Sequence, residues 1–145
     1  MTTVTVETFI AASPDAVFRA VSEIEHFPDI NPAVERVAFL GDQRQGAGTL
    51  FREVRVINGK EMAFDLEIAG YEPDAGTIRF VNETHGTVWD TTITLTAQGD
   101  GTRAVFAMDC IGSTAFKRFM NSVLSWLYKR GMVEHVAGLK AYCEA

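Results

Sequence analysis

Six stretches of alternating apolar and polar residues, separated by short turns, constrain the fold of this chain more than any other feature. They span Val34–Leu40, Thr49–Ile57, Glu61–Tyr71, Thr77–Thr84, Thr87–Ala97 and Thr102–Ile111. A two-residue period is typical of β-strands, and Asn58–Gly59 is a strong signal for a two-residue hairpin. Strands that follow one another through such short turns predict an antiparallel meander rather than βαβ units.

The N-terminal residues predict another strand followed by two short helices. Thr3–Ile10 alternates with the same period of two. Ser13 suits a helix N-cap, and Pro14 suits the first helical turn, where its missing N–H costs nothing. Pro28 and Pro32 then permit at most one more short helix or a turn.

The tail from residue 113 to residue 145 has helical periodicity. Its predicted apolar face comprises Phe116, Phe119, Met120, Val123, Leu124 and Leu127, and its predicted polar face comprises Asn121, Ser122, Ser125 and Lys129. The apolar set rotates beyond Gly131, which predicts a bend there. A helix of about thirty residues spans roughly 45 Å. A small sheet must curve to hold it, and incomplete closure leaves a space between helix and sheet.

The order of these landmarks resembles that of the START/SRPBCC superfamily, and within it the polyketide cyclase/dehydratase and lipid-transport type. The resemblance rests on Ala-Ser-Pro-Asp-Ala-Val-Phe at 12–18, Phe-Pro at 27–28 with Asn-Pro at 31–32, Tyr-Glu-Pro at 71–73, Gly-Asp-Gly-Thr at 99–102 and the long final helix. Family members often carry an aromatic residue where this chain has Ile30. The resemblance implies an α+β helix-grip fold, a curved antiparallel sheet of about seven strands wrapped on the C-terminal helix, with two short helices after strand 1. It also implies a single START-like ligand-binding domain over residues 1–145.

Charge and composition limit the kinds of partner that this chain can bind. The formal net charge is −6, which disfavours nucleic acid and anionic lipid surfaces, although a local basic patch could override the global sign. The most apolar stretch, Phe116–Val133, is interrupted by four basic residues, so we expect no integral membrane segment and a cytoplasmic protein. Cys110 and Cys143 fit no metal or redox spacing, and neither do the three histidines, so we expect no metal and no cofactor.

Alternation also predicts which side chains face the interior. Met62, Phe64, Leu66 and Ile68 should point inward because the alternate residues include Asp65 and Glu67. The same logic places Leu50, Arg52, Val54 and Val56 together on the inner face of their strand, whereas the register of residues 34–40 stays open. The predicted ligand-binding residues are Arg52, Phe64, Leu66, Phe80, Asn82, Trp89, Thr91, Phe106, Met108, Met120 and Leu124.

The functional hypotheses rest on polar residues that are predicted to lie on an otherwise apolar interior face. An unpaired buried guanidinium is costly, so Arg52 either reaches water, pairs with a carboxylate or contacts a ligand. Asn82 either bonds to a neighbouring residue or contacts the ligand as well. Asp65, Glu67, Asp90 and Asp109 are predicted to point outward, so no inward acid/base pair and no catalytic residue is identified.

Three functions then stay open. The leading hypothesis is binding of a small hydrophobic ligand, such as a lipid, isoprenoid or polyketide-like molecule, as carrier or sensor, with Arg52 and Asn82 orienting its polar head. The alternative is a polyketide cyclase/dehydratase-type enzyme in which Arg52 polarises a carbonyl. The third is a co-chaperone-like protein-interaction module. Ligand identity and the choice between monomer and homodimer stay open.

Overall fold

Seven strands form one antiparallel sheet in the order β1-β7-β6-β5-β4-β3-β2 in the computed structural model, which describes residues 1–145. The strands are β1 (Thr2–Ile10), β2 (Val34–Phe39), β3 (Leu50–Ile57), β4 (Lys60–Glu72), β5 (Thr77–Thr84), β6 (Thr87–Gln98) and β7 (Gly101–Gly112). The helices are α1 (Pro14–Ser22), α2 (Phe27–Ile30), α3 (Ala115–Val123) and α4 (Ser125–Glu144), with 3₁₀ turns at Ile24–His26 and Pro73–Ala75. The predicted α+β helix-grip fold, with short helices after the first strand, is confirmed.

Pairing between the first strand and the last strand joins the N-terminal residues to the end of the meander. β1 pairs with β7 along its whole length, from Thr2 opposite Cys110 to Ile10 opposite Thr102. Bidentate arginine–carboxylate pairs reinforce neighbouring strands on the outer face: Arg103 with Glu7, Arg79 with Asp90, and Arg52 with Asp65. Water screens such surface pairs, so they support the register of the strands more than the total stability.

Helix α1 begins where the sequence predicts. The Ser13 hydroxyl accepts a hydrogen bond from the Ala16 N–H at 3.2 Å, and Pro14 occupies the first turn. Val17, Phe18 and Val21 are buried against the inner face of the sheet, within one cluster of 19 buried hydrophobic residues. Met132, Val136 and Leu139 of α4 belong to the same cluster.

The C-terminal helix differs from the prediction in two respects. It breaks at Leu124, where φ is −90° and ψ is 2°, rather than bending at Gly131. The face of α3 that packs on the protein is also wrong in the prediction, because Asn121 is its one buried residue while Phe116 and Phe119 are exposed.

Polar contacts explain which face of α3 packs inward. Asn121 Nδ2 donates to Thr87 Oγ1 at 3.3 Å, and Tyr128 Oη donates to Asn121 Oδ1 at 3.0 Å. Tyr128 in turn stacks edge-to-face on Trp89 with ring centroids 4.9 Å apart. Hydrogen bonds between partners distant in sequence leave no periodic signal, so hydrophobic spacing selects the wrong face.

Two glycines of α4 provide a matched test of helix packing. A Cβ at Gly138 would lie 2.2 Å from the Ile30 carbonyl oxygen, whereas a Cβ at Gly131 would meet nothing within 4 Å. We expect Gly138→Ala to lower the free energy of unfolding by about 1–3 kcal/mol through overpacking. Gly131→Ala should raise it by up to about 1 kcal/mol through helix propensity.

Urea denaturation followed by circular dichroism measures both variants. Equal stability of the two would contradict the close packing of α4 on the end of α2.

Candidate functional site

The inner face of the sheet is packed at one end and accessible at the other. Ile68, Ile78, Leu95 and Ala104 are buried beneath the helices. Near the turns at Asn58–Gly59 and His85–Gly86, the inner-face side chains keep accessible surface. These side chains are Met62, Phe64, Leu66, Asn82, Trp89, Thr91 and Met108. We call this region the open end.

The register of β3 reverses the sequence prediction for that strand. Directly opposed residues of antiparallel strands share a face. The pairs are Phe51 with Leu66, Glu53 with Phe64, Arg55 with Met62 and Ile57 with Lys60. Because Leu66 and Phe64 face inward, Phe51, Glu53 and Arg55 face inward with them.

The predicted inward position of Arg52 is therefore wrong. Arg52 lies on the outer face, where its Nε and Nη2 donate to the Asp65 carboxylate at 2.7 and 3.0 Å. The arginine side chain is 48% exposed. This hydrogen-bonded pair lowers the pKa of Asp65. Val54 and Val56 share the outer face with Arg52.

Glu53 and Arg55 form a charged pair on the inner face. Arg55 Nε donates to Glu53 Oε1, and the Glu53 side chain is only 7% exposed against 34% for Arg55. A buried carboxylate requires such a partner, because an isolated charge in this environment costs several kcal/mol. The guanidinium Nη atoms of Arg55 make no hydrogen bond within the protein, so they are free to donate to another group.

His135 of α4 lies close to this pair. Burial and the charge of Arg55 lower the pKa of His135 from 6.5 to about 4, so the imidazole is neutral at pH 7. Its Nδ1 lies 3.0 Å from the Asn31 Nδ2. The Asn31 Oδ1 accepts from the Ala33 N–H at 3.0 Å, which orients the amide so that its Nδ2 is the donor. Nδ1 therefore accepts, and the proton of the neutral ring is on Nε2.

The Nε2–H of His135 is available to a ligand. It has no hydrogen-bond partner in the protein, yet no buried side-chain nitrogen or oxygen is left unsatisfied. The Nε2 atom therefore retains accessible surface, although protein atoms surround most of the ring. Arg55 and His135 present N–H donors here, and the Glu53 carboxylate balances the guanidinium charge through Oε1 while its Oε2 makes no hydrogen bond within the protein.

Ten of the eleven predicted ligand-binding residues lie on the inner face or on the adjoining helix. Phe80 and Phe106, with 8% and 2% of their surface exposed, belong to the packed core. Met120 and Leu124 are half-buried where α3 meets α4. The Asn82 Nδ2 donates to Thr84 Oγ1 at 2.9 Å, which is the bond to a neighbour that the sequence allowed.

Sequence reasoning missed Glu53, Arg55, His135 and Asn31. One signal in the sequence could have identified the first two. A two-residue turn at Asn58–Gly59 pairs Ile57 with Lys60, and each step back along β3 then pairs with one step forward along β4. Glu53 is therefore opposite Phe64, and because Phe64 faces inward, Glu53 does so too. For His135 and Asn31, which are separated by 104 positions, the sequence carries no such signal.

A separate groove of about 540 Å³ lies between α1 and the β2–β3 connection. Its lining includes Asp15, Arg19, Glu23, Glu25 and Arg44. Charged walls suit an apolar ligand poorly, and none of the predicted ligand-binding residues lines this groove.

Comparison with known proteins gives one family and many similar folds. The family model described as "Polyketide cyclase / dehydrase and lipid transport" matches residues 1–144. TTHA0849 from Thermus thermophilus is 22% identical, with a TM-score of 0.78 over 97% of this chain and 95% of its own. The Zhui aromatase/cyclase from Streptomyces sp. R1128 is 16% identical, with a TM-score of 0.79 over 99% and 93%. Major latex-like protein 151 from Panax ginseng is 12% identical, with a TM-score of 0.77 over 99% and 98%.

A search of curated proteins finds no match to this sequence. None of the helices combines the length and the apolar character needed to cross a bilayer.

The lowered pKa of His135 predicts a pH-dependent stability. The unfolded chain binds the histidine proton near the ordinary pKa of 6.5, whereas the folded chain binds it only near 4. Stability is therefore complete above the ordinary value and is lost as the pH falls toward 4. We expect a loss of about 1–2 kcal/mol between about pH 7.5 and about pH 5.

His135→Asn tests this, because its Oδ1 replaces the acceptor at Nδ1 and does not titrate. Urea midpoints across this range should vary less with pH in the variant than in the wild type. Carboxylates with lowered pKa values, such as Asp65, titrate below this range. An unchanged slope in His135→Asn would show that another group is responsible.

Proposed function

Because the chain belongs to the polyketide cyclase/dehydrase and lipid-transport family, we propose that it binds a small hydrophobic ligand at the open end of its sheet, as carrier or sensor. The observation that carries the proposal is the Glu53–Arg55 pair, which places unused N–H donors on a largely apolar inner face. Apolar walls supply affinity by desolvation, and a few placed polar groups supply orientation.

The chemistry of the cluster defines the polar head of the ligand. Arg55 and the Nε2–H of His135 donate hydrogen bonds, so the head must accept them through oxygen. Glu53 already balances the positive charge, which favours an uncharged carbonyl over a carboxylate. A polyketide-like or isoprenoid ketone fits these requirements better than a fatty acid.

The remaining contacts of the ligand follow from the accessible inner surface. We propose that it touches Phe64, Leu66, Asn82, Trp89, Thr91, Met108, Met120 and Leu124, with Phe80 and Phe106 supporting this layer from the core. Trp89 is held by Tyr128, so it offers a rigid wall. Methionine at 108 and 120 allows the walls to adapt to different ligand shapes.

We also propose where the protein acts and what it binds. Cys110 and Cys143 are free thiols, as expected in the reducing cytoplasm, and the acidic net charge supports a role without nucleic acid. The protein is proposed to act on its ligand as a monomer or homodimer over residues 1–145, with no metal or cofactor.

Binding of prodan, a fluorescent naphthyl ketone, tests the proposed site. Glu53→Gln/Arg55→Gln removes both inner charges and leaves no lone buried carboxylate. We expect it to weaken prodan binding by about tenfold, since a hydrogen bond to a charged donor is worth about 1.5–3 kcal/mol. The blue-shifted emission of bound prodan measures the dissociation constant.

The matched control is Arg52→Gln/Asp65→Asn, which removes the equivalent pair from the outer face. It should bind prodan as the wild type does. Equal weakening in both double variants, or in neither, would refute the assignment of the head-group site to Arg55.

Ring closure on the same class of ligand is the second candidate function. Neutral His135 and Arg55 present donors that could stabilise an enolate oxygen. In such a reaction a CH2 group between two carbonyls gives up one proton, and its carbon attacks a third carbonyl carbon, whose oxygen takes up that proton and becomes a hydroxyl. The second hydrogen of the former CH2 group and this hydroxyl then leave together as water, and a carbon–carbon double bond forms.

Incubation with nonane-2,4,8-trione distinguishes the two functions, because its carbon 3 lies between two carbonyls and can attack carbon 8 to close a six-membered ring. A cyclase would accelerate loss of water, seen by mass spectrometry, and Glu53→Gln/Arg55→Gln would slow this step by about a hundredfold, the scale expected for loss of one oxyanion donor. A carrier would bind the triketone and return it unchanged.

A further inference from the structure

The exposed apolar side chains around the helix break form a surface with no partner in the protein. We call Phe116, Phe119, Val123, Trp126 and Leu127 the α3 surface. Their exposed fractions are 69%, 64%, 49%, 63% and 46%. None of the five belongs to the hydrophobic core cluster or packs against it.

So many exposed large side chains within twelve residues exceed ordinary surface exposure. Isolated exposed apolar residues are common on proteins, but a contiguous patch marks an interaction site. Phe116, Phe119 and Val123 follow one another at spacings of three and four residues, which aligns them along one side of α3. Trp126 and Leu127 follow beyond the break at Leu124, in the first turn of α4.

The segment of chain that carries the α3 surface contains basic but no acidic residues, and Glu134 is the first acidic residue beyond it. Lys117, Arg118, Lys129 and Arg130 accompany it, and no acidic residue occurs from residue 113 to residue 133. The segment thus holds four of the 13 basic residues and none of the 19 acidic residues of an otherwise acidic chain. None of the four basic side chains forms a salt bridge.

These features together select one kind of partner. A second copy would face the same four positive charges across a two-fold interface, and like charges oppose such an association. An anionic lipid surface complements both features, because phenylalanine and tryptophan insert at the headgroup boundary while lysine and arginine contact lipid phosphates.

We propose that the α3 surface docks this protein on an anionic lipid bilayer, as a peripheral rather than a spanning contact. The side chain of Lys117 packs against the turn at Gly86, so α3 lies at the open end of the sheet. Docking would bring that end to the lipid. The proposal stands independently of the ligand proposed above, since it rests on other residues.

Vesicle sedimentation tests the proposal with two lipid compositions, phosphatidylcholine alone and a two-to-one mixture of phosphatidylcholine and phosphatidylserine. We expect the wild type to sediment with the mixed vesicles and to show blue-shifted tryptophan emission, because Trp126 is exposed in the free protein. Phe119→Glu should abolish sedimentation. Arg130→Gln should weaken it by about fivefold, the effect of one charge near an anionic surface.

Matched controls use residues far from the α3 surface. Leu50→Glu places the same acid on an exposed apolar position of β3, and Arg19→Gln removes one charge from α1. Both should bind vesicles as the wild type does. Circular dichroism confirms that each variant is folded, which is expected because all four positions are exposed.

Three outcomes would overturn the proposal. The wild type could fail to bind the mixed vesicles, or Leu50→Glu could lose binding as completely as Phe119→Glu. Light scattering without lipid could also show a dimer that Phe119→Glu converts to a monomer, which would assign the surface to a second copy. Measuring prodan binding by Phe119→Glu keeps this test separate from that of the ligand site, because the two proposals rest on different residues.

Discussion

The two-residue turn at Asn58–Gly59 determines which side chains of β3 face the interior. Both residues adopt positive φ, 53° and 78°, as a type I′ hairpin requires. This geometry fixes Ile57 opposite Lys60, and the rest of the β3–β4 ladder follows from that pair. A shift of one residue would exchange Glu53 and Arg55 for Arg52 and Val54 on the inner face. The polar character of the interior therefore depends on the turn.

The same ladder explains why the charged residues of β3 are tolerated. On the outer face Arg52 opposes Asp65, and on the inner face Arg55 lies two residues along the strand from Glu53. Every charge thus has a partner, although the two environments differ. The outer pair contributes little because water screens it. The inner pair is held among apolar groups, where losing either member would leave a costly charge.

Much of the fold was predictable from the sequence, because strands, turns and helix caps are local features. Ser13 with Pro14 gave the start of α1, and the inward faces of β4 to β7 followed from alternation. The face of β3 was not obtained from alternation, since each of its two faces carries both apolar and charged residues. The strand pairing imposed by the Asn58–Gly59 turn was the stronger constraint on the face of β3. The face of α3 depends on bonds from Asn121 to Thr87 and Tyr128, which periodicity does not encode.

The sequence thus predicted the apolar inner-face residues of the candidate site, together with Asn82 and Thr91, but not the cluster of Glu53, Arg55 and His135. Wall residues such as Phe64 and Trp89 follow from alternation, whereas His135 meets Asn31 only through the packing of α4 on the end of α2. The glycine at 138 permits that approach, because a larger residue would collide with the Ile30 carbonyl. A backbone contact in the helix layer thereby sets the tautomer of a ring that faces the interior.

The fixed tautomer of His135 gives the interior a hydrogen-bond polarity. Its N–H and those of Arg55 can be satisfied by water or by an oxygen atom, but not by a hydrocarbon. A purely aliphatic molecule that displaced this water would leave donors unpaired, at about 1–3 kcal/mol for each. At the proposed site the cluster would therefore disfavour oxygen-free molecules by this energetic penalty rather than by their shape.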